Sequence, residues 1–321
     1  MMDIEHTQVQ TPLIPRHQKD SFICNATSSA ILLFLLFQII ISLGVSAVGT
    51  FIALGSSTYL YEIDLDFMFT LTNISTILST IGSITLVTLM MKSMLKIQLP
   101  TLKAPDFPIR KIAYYFLLAL GLSTALSMVV NIVNEALTST GVEMTTPDFT
   151  PNLDTLNNIL LIISTCIVAP IFEELLFRGL ILTALRKFGN TNAMIITSLL
   201  FALIHGNIPQ SIPTFAISMI LCYVVIRTKS LLPAILIHFI NNATGIFQLF
   251  LANNDISSIV ILVVEISIMI ASIVIIIRKR AMILAYLKKH KGPTIRSYFK
   301  HIAPIIVLLI AMLLIITSIN L

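Results

Sequence analysis

Residues 157–185 read NNILLIISTCIVAPIFEELLFRGLILTAL, a run in which only Glu173, Glu174 and Arg178 carry charge. A helix rises 1.5 Å per residue and needs ~20 apolar residues to cross the hydrocarbon of a bilayer. The stretch is therefore long enough to span, and Pro170 inside it predicts a kink. Eight more apolar runs lie at roughly 30–54, 67–91, 112–133, 193–205, 212–226, 231–251, 257–277 and 302–319. Together they predict an all-α, polytopic transmembrane helical bundle of about nine helices. Composition agrees: the 321 residues are 56% hydrophobic and 11% charged, with a mean hydropathy of +0.96. Soluble domains carry about 25% charged residues, so a soluble enzyme, a disordered chain and a nucleic-acid binder are excluded.

Charge orients the spans. Cytoplasmic loops carry the Lys and Arg excess, and 19 of the 20 basic residues fall on alternate loops. Arg16 and Lys19 precede the first span, and five more, from Lys92 to Lys111, lie between the second and third. Arg186 and Lys187 follow the fourth, Arg227 and Lys229 the sixth, and eight lie in 278–300. The intervening loops hold acidic groups only: Glu62, Asp64, Asp66, Glu135, Glu143, Asp148, Asp154 and Asp255. The N-terminus is expected inside and the C-terminus outside. The expected divisions are a polar cytoplasmic tail at 1–29, transmembrane helices without an assigned role at 30–150, a core at 151–251, and C-terminal helices with the basic loop at 252–321. Runs 193–205 and 212–226 are short for a crossing and flank Gly206-Asn207-Ile208-Pro209-Gln210, which predicts a tilted or partly re-entrant pair. Cys24, Cys166 and Cys222 have no metal-type spacing and read as packing residues.

Ionisable groups inside a span are costly and mark sites by default. The twentieth basic residue, Arg178, stands four residues after Glu174, so the two face one another on a helix. Glu173 lies about 100° away around the helix, which leaves one carboxylate neutralised and the other open. His205 closes the fifth run, and His238 lies in the seventh with Asn242 four residues on. Measured inward from the basic ends at 1.5 Å per residue, Glu173 is about 20 Å deep, His205 about 18 Å, His238 about 12 Å and Asn242 about 18 Å. Three helices thus bring polar groups to a similar level.

Glu-Glu-x-x-x-Arg, Phe-x-x-x-His and His-x-x-x-Asn, each on its own apolar helix, resemble the CPBP (Abi) family of intramembrane proteases, which includes the type II CaaX prenyl endopeptidases. The likeness covers roughly 157–250. It implies that Glu173 and His205 activate a water, that His238 and Asn242 stabilise the oxyanion, and that Glu174 and Arg178 hold the site in shape. It implies a lipidated, prenylated or small hydrophobic peptide as substrate, the lipid bilayer as medium, and a bacterial cell membrane as location. Metal-free water activation and a zinc on Glu173, His205 and His238 follow from it equally, although no His-Glu-x-x-His is present. The rival expectations are a catalytically silent interaction protein (bacteriocin immunity or a sensor scaffold) and a proton-coupled transporter using Glu173, Glu265 and the histidines. Glu265, in the eighth run, has no motif around it.

Overall fold

The structure, a computed structural model, describes residues 19–56, 65–146, 155–251, 255–292 and 295–320. Arg16, Glu62, Asp64, Asp148 and Asp154 lie outside the described residues. Nine helices account for nearly all of the described chain: α1 (Asp20–Ser56), α2 (Leu65–Leu95), α3 (Ile109–Thr138), α4 (Thr155–Phe188), α5 (Asn190–Leu203), α6 (Ile208–Thr228), α7 (Leu232–Leu251), α8 (Asp255–Lys289) and α9 (Ile302–Thr317). Seven are long and apolar enough to cross a membrane, while α5 and α9 have 14 and 16 residues. The chain is an all-α, multi-pass integral membrane bundle.

Each expected run becomes a helix, with two differences. The sixth is a full-length helix of 21 residues, because Asn207 caps its start by accepting from the Gln210 N–H at 2.9 Å and Pro209 sits in its first turn. A proline there loses no helical bond. Of the expected pair, only α5 is short. At the other end of the chain, α1 begins about ten residues before the apolar run, at Asp20, within the stretch expected to be tail. Ile23, Cys24, Ala26, Thr27 and Ser28 are buried there, and the Tyr298 hydroxyl bonds Ser28 Oγ at 2.7 Å. All three cysteines are free and buried.

Contacts between loops sort them onto two ends. At the basic end, Lys187 pairs with Asp20 at 2.9 Å, Thr101 bridges Ser230, and the Thr191 N–H donates to His290 O. Backbones cross there at Gly189 (φ +90°) and Gly292, where a Cβ on Gly292 would collide with Phe188 O. At the opposite end, a two-residue strand β1 (Glu143–Met144) pairs antiparallel with β2 (Ile319–Asn320). The alternation demanded by charge is thus the alternation of loop contacts.

The fully buried side chains concentrate in α4 to α7. Leu176, Phe177, Leu180, Ile181, Leu200, Leu221, Cys222, Ala234 and Ile237 are sealed from solvent, whereas α8 and α9 present Val263, Ile277, Leu309 and Leu313 outward. The outer helices supply the lipid-facing surface and the inner four supply the core that positions the site.

Candidate active site

The charged segment sits on a helix that is not uniformly α. Within α4, π-helical turns at Ile163–Val168 and Leu175–Ile181 bracket a six-residue α segment, Ala169–Glu174. A π turn, one of the recognised ways a helix bends, lies directly before Pro170. The six residues between the turns carry both glutamates.

Glu174 and Arg178 are fully buried and joined at 2.7 Å, as their spacing predicts. The network extends beyond that pair. Arg178 Nη2 donates to Ser218 Oγ of α6 at 2.8 Å, and its guanidinium stacks 4.3 Å from the centre of the Phe201 ring of α5. His238 of α7 places Nδ1 2.9 Å from the same Glu174 oxygen that holds Arg178. Because a carboxylate can only accept, Nδ1 is a protonated nitrogen. One carboxylate thus ties α4 to α7 directly and, through Arg178, to α6. Glu174 Oε2 and Arg178 Nε have no hydrogen-bond partner among the described residues, so the pair is held through its remaining atoms.

Glu173 is left outside this network and is partly exposed, its Oε2 3.8 Å from His238 Nε2. The two carboxylates therefore face the two nitrogens of one imidazole. His205 lies just past the end of α5, in a turn closed by Gly206 (φ +68°). A positive φ is easily reached only by glycine. Asn207 Nδ2 donates to His205 O at 2.9 Å, and Ser211 Oγ donates to Ala202 O at 2.9 Å, so the turn is firmly held. His205 Nδ1 donates to Phe201 O at 2.9 Å, which leaves Nε2 as the acceptor nitrogen. The Phe201 ring meets Phe177, His205 and His238 with centroids 4.8, 5.3 and 5.8 Å away.

Asn242 stands apart from the carboxylates: its Nδ2 donates to Thr165 O in the first π turn at 2.9 Å, and its Oδ1 accepts from Asn241 at 3.4 Å. Among the described residues no three His, Cys, Asp or Glu side chains are grouped closely enough to hold a metal ion. Both imidazoles are held through Nδ1, His238 on Glu174 and His205 on a backbone carbonyl, which leaves their Nε2 atoms open. The expected zinc ligands, Glu173, His205 and His238, do not form a three-donor set here.

Sequence reasoning missed Phe201, Ser218 and Thr165. Phe201 was visible as the first residue of Phe-x-x-x-His, but Ser218 and the Thr165 carbonyl carry no sequence signal. Glu265 gains a partner that spacing could not supply, since Gln248 Nε2 of α7 donates to its Oε1.

An inner core of four helices holds a buried carboxylate–guanidinium–imidazole network beside one partly exposed carboxylate. Residues 155–244, which contain all six residues singled out from the sequence, match the family model described as type II CAAX prenyl endopeptidase Rce1-like. Over this stretch, 90 of the 321 residues, the chain is similar to the CAAX-type intramembrane proteases of the CPBP family. Compared with curated proteins and with solved structures, the chain finds no match in either.

Proposed function

We propose that the protein is an intramembrane endopeptidase that hydrolyses a peptide bond in a lipidated, prenylated or small hydrophobic signal-type peptide. The observation that carries this reading is the division of labour between adjacent carboxylates. Glu174 is buried and committed to Arg178 and His238, while Glu173 is partly exposed with His238 Nε2 3.8 Å away.

Glu173 and the acceptor nitrogen of His205 take the proton of a water whose oxygen attacks the carbonyl carbon. Proton transfer by a positioned side chain contributes about 10²–10⁴-fold to rate. As the new C–O bond forms, the negative charge on the carbonyl oxygen is met by His238 and by a free N–H of Asn242; such groups act most strongly where water is excluded. The tetrahedral species collapses, the C–N bond breaks, and the proton returns to the leaving amine. Glu174 holds the orientation of His238, and Arg178 holds Glu174.

The test pairs wild type with Glu173→Ala in membranes, using prenylated and unmodified hydrophobic peptides and mass spectrometry of products. Cleavage is expected in wild type and a loss of at least ~100-fold in the variant, with thermal unfolding unchanged, since Glu173 lies outside the buried network. A chelator is expected to leave the rate unchanged. Loss of rate on chelation, restored by zinc, would instead bring His205 and His238 together with Glu173 around the ion. An unchanged phenotype in Glu173→Ala cells without any cleaved product would favour the silent interaction protein.

A further inference from the structure

In an α-helix the Thr165 carbonyl would accept from the Ala169 N–H. Here the Ala169 N–H bonds Ser164 O instead, in the π pattern. The π partner of Thr165 O would be residue 170, which is proline and has no N–H. The π turn and Pro170 together therefore strip this carbonyl of both partners that α4 would ordinarily supply. An unpaired carbonyl away from water is costly, and Asn242 Nδ2, from α7, donates to it at 2.9 Å.

The location gives this bond leverage. A π turn inserts one residue into the helix, which rotates the downstream segment by about 100° relative to the upstream one. On the outer side, α4 is anchored to α2: Asn157 accepts from Thr70 Oγ1 at 2.9 Å and donates to Asp66 O at 3.2 Å. On the inner side it is anchored by Glu174 to Arg178 and His238. The inserted residue lets both anchorages hold on one continuous helix. Asn242 and His238 share α7, so the bond to Thr165 fixes the height and rotation of the Ala169–Glu174 segment against the helix that bears its imidazole partner.

We propose that Asn242 is a positioning residue, whose amide closes the carbonyl opened by the π turn and Pro170 and so keeps Glu173 and Glu174 in register with His238. The bond uses one N–H of the amide and leaves the second for the oxyanion. This role rests on the proteolytic reading of the site, but one arm of its test is independent of activity.

The test is a double-mutant cycle between residue 170 and residue 242. Pro170→Ala restores an N–H that can reach Thr165 O in the π pattern. Asn242→Ala removes the donor, and Asn242→Leu removes it while keeping the side-chain volume, in case the smaller residue prevents folding. Thermal unfolding in detergent and kcat and KM for a cleaved peptide are measured in both backgrounds. With Pro170 present, loss of Asn242 is expected to lower the unfolding midpoint and to reduce kcat by about 100-fold, the scale of a ~1 Å misplacement, with little change in KM. In the Pro170→Ala background the loss of unfolding midpoint shrinks, while the part of the kcat loss that comes from the oxyanion N–H persists; non-additivity in the midpoint is the signature of a shared carbonyl. Equal losses of unfolding midpoint in both backgrounds would overturn the proposal. If wild type cleaves no peptide, the proteolytic reading fails on its own, and the unfolding cycle still decides for or against the bond.

Discussion

Among single residues, burial separates roles that composition leaves equal. Glu173 and Glu174 are chemically identical neighbours, yet one is sealed and shared between Arg178 and His238 and the other is partly open. The consequences of substitution should divide the same way. Removing one member of a buried ion pair costs about 3–5 kcal/mol, because its partner stays charged and unpaired. Arg178→Ala is therefore expected to lower the unfolding midpoint in detergent strongly, and Arg178→Lys nearly as much, since an ammonium lacks the planar fork that reaches Glu174 and Ser218 together. A Ser218→Ala variant loses one neutral acceptor and should be milder, about 1–2 kcal/mol. If Arg178→Ala unfolds at the wild-type temperature, the network does not hold the core.

Among the elements, the outer helices are tied to one another by buried polar contacts. Tyr298, in the short 3-10 turn Ile295–Lys300 before α9, is buried and bonds Ser28 at 2.7 Å and Thr27 at 3.2 Å, both on α1. Burial pushes its phenol up to about 12. The neutral form is the one the fold favours, so its contribution is fully present below the ordinary tyrosine value of about 10. That contribution is lost as pH rises from there through about 12. Tyr298→Phe should cost about 1–2 kcal/mol at neutral pH by leaving Ser28 unpaired, and it should remove this part of the alkaline instability. Unfolding midpoints of the two proteins from about pH 8 to about pH 11, a range that brackets the ordinary tyrosine value, check the expectation: the difference between them should narrow toward the alkaline end. A constant difference would mean that Tyr298 does not titrate within the fold.

For the molecule as a whole, topology follows from charge, and loop contacts made at two separate ends support the same alternation. A thiol reagent that cannot cross membranes should label Ser139→Cys in intact cells and Lys103→Cys only after lysis. Native Cys24, Cys166 and Cys222 are buried and should stay silent. Labelling of both positions from outside would break the assignment. Membrane class, the nine helices, the alternation of their loops and the Glu174–Arg178 pair are all legible along the chain. They depend on run length, on loop charge and on a four-residue spacing, each of them local. Glu173, His205, His238 and Asn242 come to notice in the same way, because ionisable and amide groups are conspicuous in apolar runs. Folding in three dimensions was needed to join His238 to Glu174, to carry Arg178 to Ser218, to pack Phe201 against both histidines, and to bring Asn242 to a carbonyl freed by a π turn. All but one of these contacts tie residues far apart in sequence, and the first π turn lies between anchorages of α4 to two different helices. No pattern read along one helix encodes how far it must rotate to satisfy its neighbours.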